Sequence, residues 1–263
     1  MTTPAGPLLD FEVTGSQEGQ PLVLLHAFPL ARDLWGPVVQ RLDDVRCILV
    51  DLPGLGNSPL PDGEPDLTVS VEGVVAVLDS LGLGRAVVAG VSMGGYVTLG
   101  MLRDHPDRVA AAGLIDTKTE ADATEARANR LRMAEAVLGD AGRRALAPMA
   151  DSLIGPTSKA ERPGVVQTLA QWLERTPLAG VAWSQRAMAA RPDTSAALAA
   201  ARVPVAIVVG EEDSLTPPEA ARAMASLAPD AVLTVVPRSG HLSPLQAPDA
   251  VAAALTALLR RAS

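Results

Sequence analysis

Ala86-Val87-Val88-Ala89-Gly90-Val91-Ser92-Met93-Gly94-Gly95 is the stretch on which the fold turns. The run Ala86 to Val91 has the length and apolar content of a strand buried on both faces. A helical segment follows and ends at His105-Pro106. Strand, G-x-S-x-G and helix together form the context of a sharp turn that lifts a serine hydroxyl above a sheet. Such a turn strains the backbone at Ser92, and the flanking glycines remove side chains that would strike the neighbouring strand and helix. The helix N-terminus would then aim free N–H groups and a positive dipole end at any anion forming above Ser92. A Gly-rich turn with an ordinary helix-capping serine fits the pentapeptide alone, so the rest of the chain has to decide. Neither G-x-G-x-x-G nor G-x-x-x-x-G-K-[ST] occurs here, which argues against dinucleotide and P-loop sites.

Outward from this stretch, short apolar runs recur at Leu22 to Leu25, Cys47 to Val50, Val109 to Ile115, Val205 to Val209 and Val232 to Val236. All read as strands buried on both faces. Helical patterns separate them. Val71, Val74, Val75 and Leu78 share a face, with Gly82 placed to end that helix. Thr216-Pro217-Pro218-Glu219 reads as a capping box, and a last helix from near Pro248 carries Val251, Leu255, Leu258 and Leu259. Alternating β and α units predict an α/β fold with a mostly parallel central sheet flanked by helices. One interval stands apart: 89 residues separate Ile115 from Val205, against 17 to 35 between the other runs. Too long for a structureless loop, it reads as helical. Leu131, Ala134 and Leu138 share one face with Gly139 as a stop, Val165, Val166, Leu169, Trp172 and Leu173 form a second stripe, and Leu178 to Met188 a third. The expected organisation is a core of residues 1–116 and 192–263, with 117–191 inserted as a helical cap within a single domain.

The chemistry-bearing residues cluster after the strands. His26-Ala27-Phe28-Pro29 follows the Leu22 run, and Gly240-His241 follows the Val232 run. An oxyanion hole needs two N–H donors: the turn supplies Met93, and the loop after the earlier strand nominates Phe28. Of the three histidines, His241 sits in a strand-to-helix loop where a general base belongs, His26 reads as a structural loop residue, and His105 as a helix-end cap. A carboxylate must orient the base. Asp213, in Gly210-Glu211-Glu212-Asp213, gives the order Ser, Asp, His, while Glu211, Glu212 and Asp116 are rivals. Cys47 reads as inert core. Trp35, Trp172 and Trp183 are candidate substrate contacts, and the two in the cap fit plain packing equally well. Arg175, Arg186 and Arg191 could meet a substrate carboxylate, although a solvated helix face suits each. No cluster has metal-ligand spacing, so no metal and no cofactor are expected.

Composition limits the partners. With 22 Lys plus Arg against 30 Asp plus Glu, the net charge of −8 argues against nucleic acid and anionic membrane. A lone cysteine forms no internal disulfide and suits a reducing compartment. Met1 to Asp10 lack the pattern of a signal peptide, and no run approaches the roughly 18 apolar residues of a membrane span. A cytoplasmic protein acting on a small molecule is expected. Oligomeric state has no signature here.

With those residues in order, the sequence resembles an α/β-hydrolase-fold serine hydrolase over its whole length. Within that group His26 to Trp35 (HAFPLARDLW), Asp51 to Pro59 (DLPGLGNSP), Gly90 to Tyr96 and Gly240 to Val251 are similar to bacterial 3-oxoadipate enol-lactonases and related carboxylesterases. Ala27 stands where such proteins often carry glycine. The resemblance implies an α/β-hydrolase fold with its cap inserted before the acid-bearing strand, and cofactor-free cleavage of an ester or lactone. In that scheme Ser92 attacks, His241 takes its proton, Asp213 orients the ring, and the Phe28 and Met93 amides hold the oxyanion. The same motifs also occur in C–C bond hydrolases and in haloperoxidase or perhydrolase relatives, which use the same triad. A non-catalytic ligand-binding protein on this fold is the third alternative.

Overall fold

Seven strands form one sheet among the described residues, which run from 9 to 262 in this computed structural model. Apart from Leu9 and Asp10, the segment read above for a signal peptide lies outside them. The strands are β1 (Phe11–Gly15), β2 (Gln20–Leu25), β3 (Val45–Val50), β4 (Ala86–Val91), β5 (Val109–Ile115), β6 (Val205–Gly210) and β7 (Ala231–Val236). Their order is β1-β3-β2-β4-β5-β6-β7, and every pairing is parallel except β1 with β3. Six strands coincide with the apolar runs. β1 escaped that pattern because it is an edge strand in which only Phe11 and Val13 pack inward. β7, the opposite edge, corrects the expectation of burial on both faces: Val232 is 50% and Val235 37% exposed.

A one-turn helix, α1 (Gly36–Val39), lies between β2 and β3, then α2 (Leu67–Ser80) and α3 (Met93–Asp104) follow β3 and β4. Between β5 and β6 come α4 (Thr124–Leu138), α5 (Ala147–Leu153), α6 (Pro156–Glu161), α7 (Pro163–Arg175), α8 (Leu178–Ala190) and α9 (Ser195–Ala199). After β6 comes α10 (Pro218–Leu227), and after β7 come α11 (Ser243–Gln246) and α12 (Pro248–Arg261). Side chains alternate across the pleat, so the strands inside the sheet feed two cores. Val23, Leu25, Ile48, Val50 and Val88 pack with α2 and α3 on one face. Leu22, Leu24, Cys47, Leu49, Val87 and Ala89 pack with α1 and α12 on the other. Burying one such leucine or valine contributes about 1.5–3 kcal/mol.

Local signals held unevenly. α2 starts where Asp66 accepts the Thr68 N–H at 2.7 Å, and the chain turns away at Gly82 with φ +67°. α10 has Pro218 at its first position, but Thr216 makes no cap: its hydroxyl is committed to Asp213. The face assigned to α4 is also corrected. Ala134 and Val137 point inward, while Leu131 and Leu138 are 40% and 54% exposed. In α7 the expected stripe holds, with Leu169 and Leu173 buried and Trp172 packed beside them. No helix of the described residues is long and apolar enough to cross a membrane.

Candidate active site

Register brings the site together. Val91 pairs with Ile115, Ile115 with Val208 and Gly210 with Val236, so β4 to β7 end along one edge of the sheet. In open parallel sheets ligands bind at that edge. The Ser92 N–H donates to the Ile115 carbonyl at 2.9 Å, and the Asp116 N–H to that of Val208 at 2.8 Å. Ser92 has φ 52° and ψ −108°, a strained backbone for a residue with a Cβ. The glycines around it are steric necessities. A Cβ at Gly90 would lie 2.1 Å from the Gly94 carbonyl, and one at Gly94 2.3 Å from the Leu25 oxygen.

Three side chains from three loops then meet. The Ser92 hydroxyl lies 2.8 Å from His241 Nε2, and His241 Nδ1 lies 2.8 Å from Asp213 Oδ2. The carboxylate on the Nδ1 side fixes the proton there and leaves the Nε2 lone pair facing the hydroxyl. Asp213 is held in turn. Oδ1 accepts the Leu215 and Thr216 N–H groups at 2.8 and 3.0 Å, and Oδ2 accepts the Thr216 hydroxyl at 2.6 Å. Burial pushes Asp213 up, but the His241 charge and these hydrogen bonds outweigh it and leave the carboxyl below its ordinary pKa. Burial likewise opposes charging of His241, yet Asp213 and, further off, Asp116 hold its pKa above the ordinary histidine value. The arrangement can draw a proton from Ser92 and stabilise the imidazolium that results.

The rivals have other partners. Glu212 accepts the Thr157 N–H at 3.0 Å and so ties α6 to the β6 loop, while Glu211 accepts the Arg238 N–H at 3.3 Å. Asp116 is fully buried, with Oδ1 on the Gly210 N–H and Oδ2 on the Ser243 N–H, both at 2.9 Å. It thereby pins the loops that carry Asp213 and His241. Burial and the nearby Asp213 push its pKa up to about 7. His26 is buried and accepts the Leu52 N–H on Nε2 at 2.8 Å, so it fastens the β2 loop to the β3 loop. His105 closes α3 with Nε2 2.8 Å from Glu72. Cys47 is buried with no thiol or metal partner among the described residues, and burial pushes its pKa up to about 11.

A cavity of about 290 Å³ opens above Ser92 and His241, lined also by Phe28, Tyr96, Leu153 and Thr216. Met93 begins α3, so its N–H is one of the first-turn amides that have no intrahelical carbonyl. The tryptophans lie elsewhere. Trp35 is fully buried in the α1/α12 core, Trp183 is 5% exposed in the opposite core, and Trp172 lines a separate groove with Pro29 and Arg175. None lines the cavity at Ser92. Arg175 and Arg186 are exposed, whereas Arg191 is buried against Tyr96 and Asp122. Three contributors to the site carried no such role in the sequence reading: Thr216, read as a helix cap, Asp122 and Arg130. Thr216 had a signal, since an Asp followed three residues later by Thr is a turn in which the carboxylate takes local N–H groups.

Comparisons with known proteins identify the family and the fold. The profile of the alpha/beta hydrolase fold matches residues 20–248. The chain is 31% identical to the dihydrolipoyllysine-residue acetyltransferase component of an acetoin cleaving system of Pseudomonas putida, over 97% of this chain and 68% of that protein. Carboxylesterase YbfK of Bacillus subtilis is 27% identical over 90% of this chain and 79% of its own. Among solved structures, a thermophilic esterase from Thermogutta terrifontis superposes with a TM-score of 0.92 at 35% identity, covering 97% and 93% of the two chains. The enol-lactonase of Burkholderia xenovorans LB400 has a TM-score of 0.88 over 96% of both chains; at 23% identity that is a likeness of fold.

Proposed function

The chain belongs to the alpha/beta hydrolase fold family, and from that premise we propose that it is a serine hydrolase cleaving a carboxylic ester or lactone. The observation that carries the proposal is the unbroken line Asp213–His241–Ser92, with both steps at 2.8 Å. Ser92 Oγ attacks the carbonyl carbon as His241 Nε2 takes its proton. The charge on the imidazolium is balanced by Asp213, which also holds the tautomer. The N–H groups of Met93 and Phe28 receive the oxyanion, each donor worth about 3–4 kcal/mol in enzymes of this type. His241 then protonates the leaving alkoxide, and a water deprotonated by the same nitrogen releases the acid. Side chains move every proton and backbone amides take the oxyanion charge, so the chemistry calls for no cofactor.

The family likeness to esterases supports ester cleavage, and the cavity volume suits a small substrate. In this reading residues 117–191 act as a cap over a core formed by 1–116 and 192–263. The single buried thiol is compatible with the cytoplasm. A panel of p-nitrophenyl esters of rising chain length and several lactones, run on wild type and Ser92→Ala, tests the proposal. Loss of the nucleophile should lower kcat by a factor of order 10⁶ with folding intact. A fluorophosphonate should label Ser92 stoichiometrically. Retention of more than a tenth of the activity, or labelling elsewhere, would overturn it.

A further inference from the structure

The loop that carries His241 is fastened at three points. The Ser239 carbonyl accepts the Glu212 N–H at 2.8 Å, the Ser243 N–H donates to Asp116 Oδ2 at 2.9 Å, and the Gly240 N–H donates to Gln246 Oε1 at 3.0 Å. The first two partners belong to the loops after β6 and β5. The third is a neutral side chain on α11, 2% exposed, to which the hydrolytic cycle assigns no part.

One oxygen of that side chain serves two segments. Besides Gly240 it accepts the Gly155 N–H at 2.9 Å and the Ser158 hydroxyl at 2.8 Å, while Nε2 lies 3.4 Å from the Leu153 carbonyl. Peptide N–H groups only donate, so the amide has to turn its oxygen toward Gly155 and Gly240. Residues 153–158 run from the end of α5 into α6, and Leu153 lines the cavity above Ser92. The two backbones touch here: a Cβ on Gly240 would lie 2.3 Å from the Gly155 nitrogen. Arg162 donates to the Gln246 and Arg238 carbonyls and to the Ser158 hydroxyl oxygen, and Glu212 closes the junction through Thr157. A side chain needed only to fill this space would be apolar, since a buried amide costs stability unless its polar atoms are met.

We infer that Gln246 is a positioning residue for the hydrolysis: its carboxamide oxygen fixes the His241 loop against Ser92 and Asp213 and joins that loop to the cavity wall at Leu153. The inference rests on the hydrolytic reading above and adds a residue to the support of its base. Gly240 directly precedes His241, so slack at its N–H passes to the ring. A displacement of about 1 Å in a reacting group can cost on the order of 10² in rate. Burial lowers the pKa of the ring, Asp213 and then Asp116 raise it, and Arg130 lowers it. None of these charges changes when one neutral side chain replaces another at 246. A moved His241 titration there reports the position of the ring, and a ring drawn away from Asp213 titrates at lower pH.

The test sets Gln246→Met, which keeps the length and removes the acceptor, beside Gln246→Glu, which keeps an oxygen in its place. Val77→Ala, a truncation inside the α2 core, is the control for lost stability alone. Two quantities are measured: kcat and KM for the best p-nitrophenyl ester of the panel above, and the His241 titration from its imidazole NMR signals, in a chain with three histidines. Gln246→Met should lower kcat about ten- to a hundredfold, with KM changed far less, because buried N–H groups go unmet beside the base. Its His241 should titrate at lower pH than in wild type. Gln246→Glu should recover most of kcat, and Val77→Ala should leave the titration in place.

Should Gln246→Met fail to fold, Ser158→Ala decides, since it takes one donor from the same oxygen and should move both quantities the same way by less. If the variant that folds keeps the wild-type titration, the inference is overturned and ester hydrolysis stands, whether or not kcat falls. A loss of kcat that Gln246→Glu does not recover overturns it as well, because the oxygen would then not be what matters. If wild type turns over no ester but the titration still falls in Gln246→Met, the hydrolytic reading fails and the hold of Gln246 on the ring stands.

Discussion

The loops at the carboxyl edge of the sheet and the helices between β5 and β6 hold their polar groups in different ways. Along the edge, backbone fixes position: the Ser92 amide is bonded to Ile115, the Asp116 amide to Val208 and the Glu211 amide to Val236. Over the cavity, side chains hold side chains. Arg130 on α4 reaches Asp122, Gln185 and Met188, while α4 itself buries only Ala134 and Val137. A backbone-anchored group cannot drift without breaking the sheet, whereas a helix held by side chains can be resurfaced. Substitutions at the edge should therefore change kcat, and substitutions over the cavity should change which substrate binds.

The sharpest break in that contrast comes from the two aspartates. Asp213→Asn favours the wrong tautomer of His241 and should cost about 10⁴ in kcat, as in a well-studied triad. Asp116→Asn keeps one acceptor for the Gly210 and Ser243 amides and loses the other. Leaving one buried N–H unmet costs roughly 1–3 kcal/mol, about ten- to a hundredfold if all of it appears in the rate. Measured kcat for both variants decides: a crippled Asp116→Asn beside an active Asp213→Asn would move the acid to β5.

Next in size is stability within the helical region. Trp183→Ala empties a core position and should cost about 3–5 kcal/mol in urea unfolding. Leu131→Ser, on the outward face of α4, should stay within about 0.5 kcal/mol. Similar losses for the two would mean that α4 packs on the face first read from the sequence.

The smallest expected effect is a displaced pH profile. In the proposed mechanism His241 must be neutral to accept the serine proton, and its pKa is raised above the ordinary 6.5 because Asp213 and Asp116 outweigh burial. The acid limb of kcat/KM for a neutral ester should then lie above 6.5. Asp213→Asn removes the larger favourable charge, so its residual activity should titrate at lower pH. An acid limb below 6.5 in wild type would show that burial dominates at the ring.

The sequence carried the edge of the sheet well because each part was local. Apolar runs marked β2 to β7, and Gly90-x-Ser92-x-Gly94 carried its own steric reason. His241 was recognisable from its place after β7. What stayed hidden depends on partners distant in the chain. Thr216 read as a helix cap until His241, 25 residues away, was beside it. Asp122 gains meaning only when Arg191, 69 residues away, folds onto it. β1 was too short and too polar on one face to stand out, and α4 has a weak enough stripe that Leu131 was assigned to the wrong side.

The φ of 52° at Ser92 has a consequence for how such a protein responds to selection. Backbone held there by a residue with a Cβ costs on the order of 1–3 kcal/mol, and glycine at that position would be relieved of most of it. Screened for heat resistance alone, the chain gains by giving up the one hydroxyl that its neighbouring loops are built around. Endurance and usefulness pull against each other at this position. Under the proposed mechanism, a search for sturdier variants has to assay turnover alongside melting, or it will gather well-folded proteins with nothing left to attack a carbonyl.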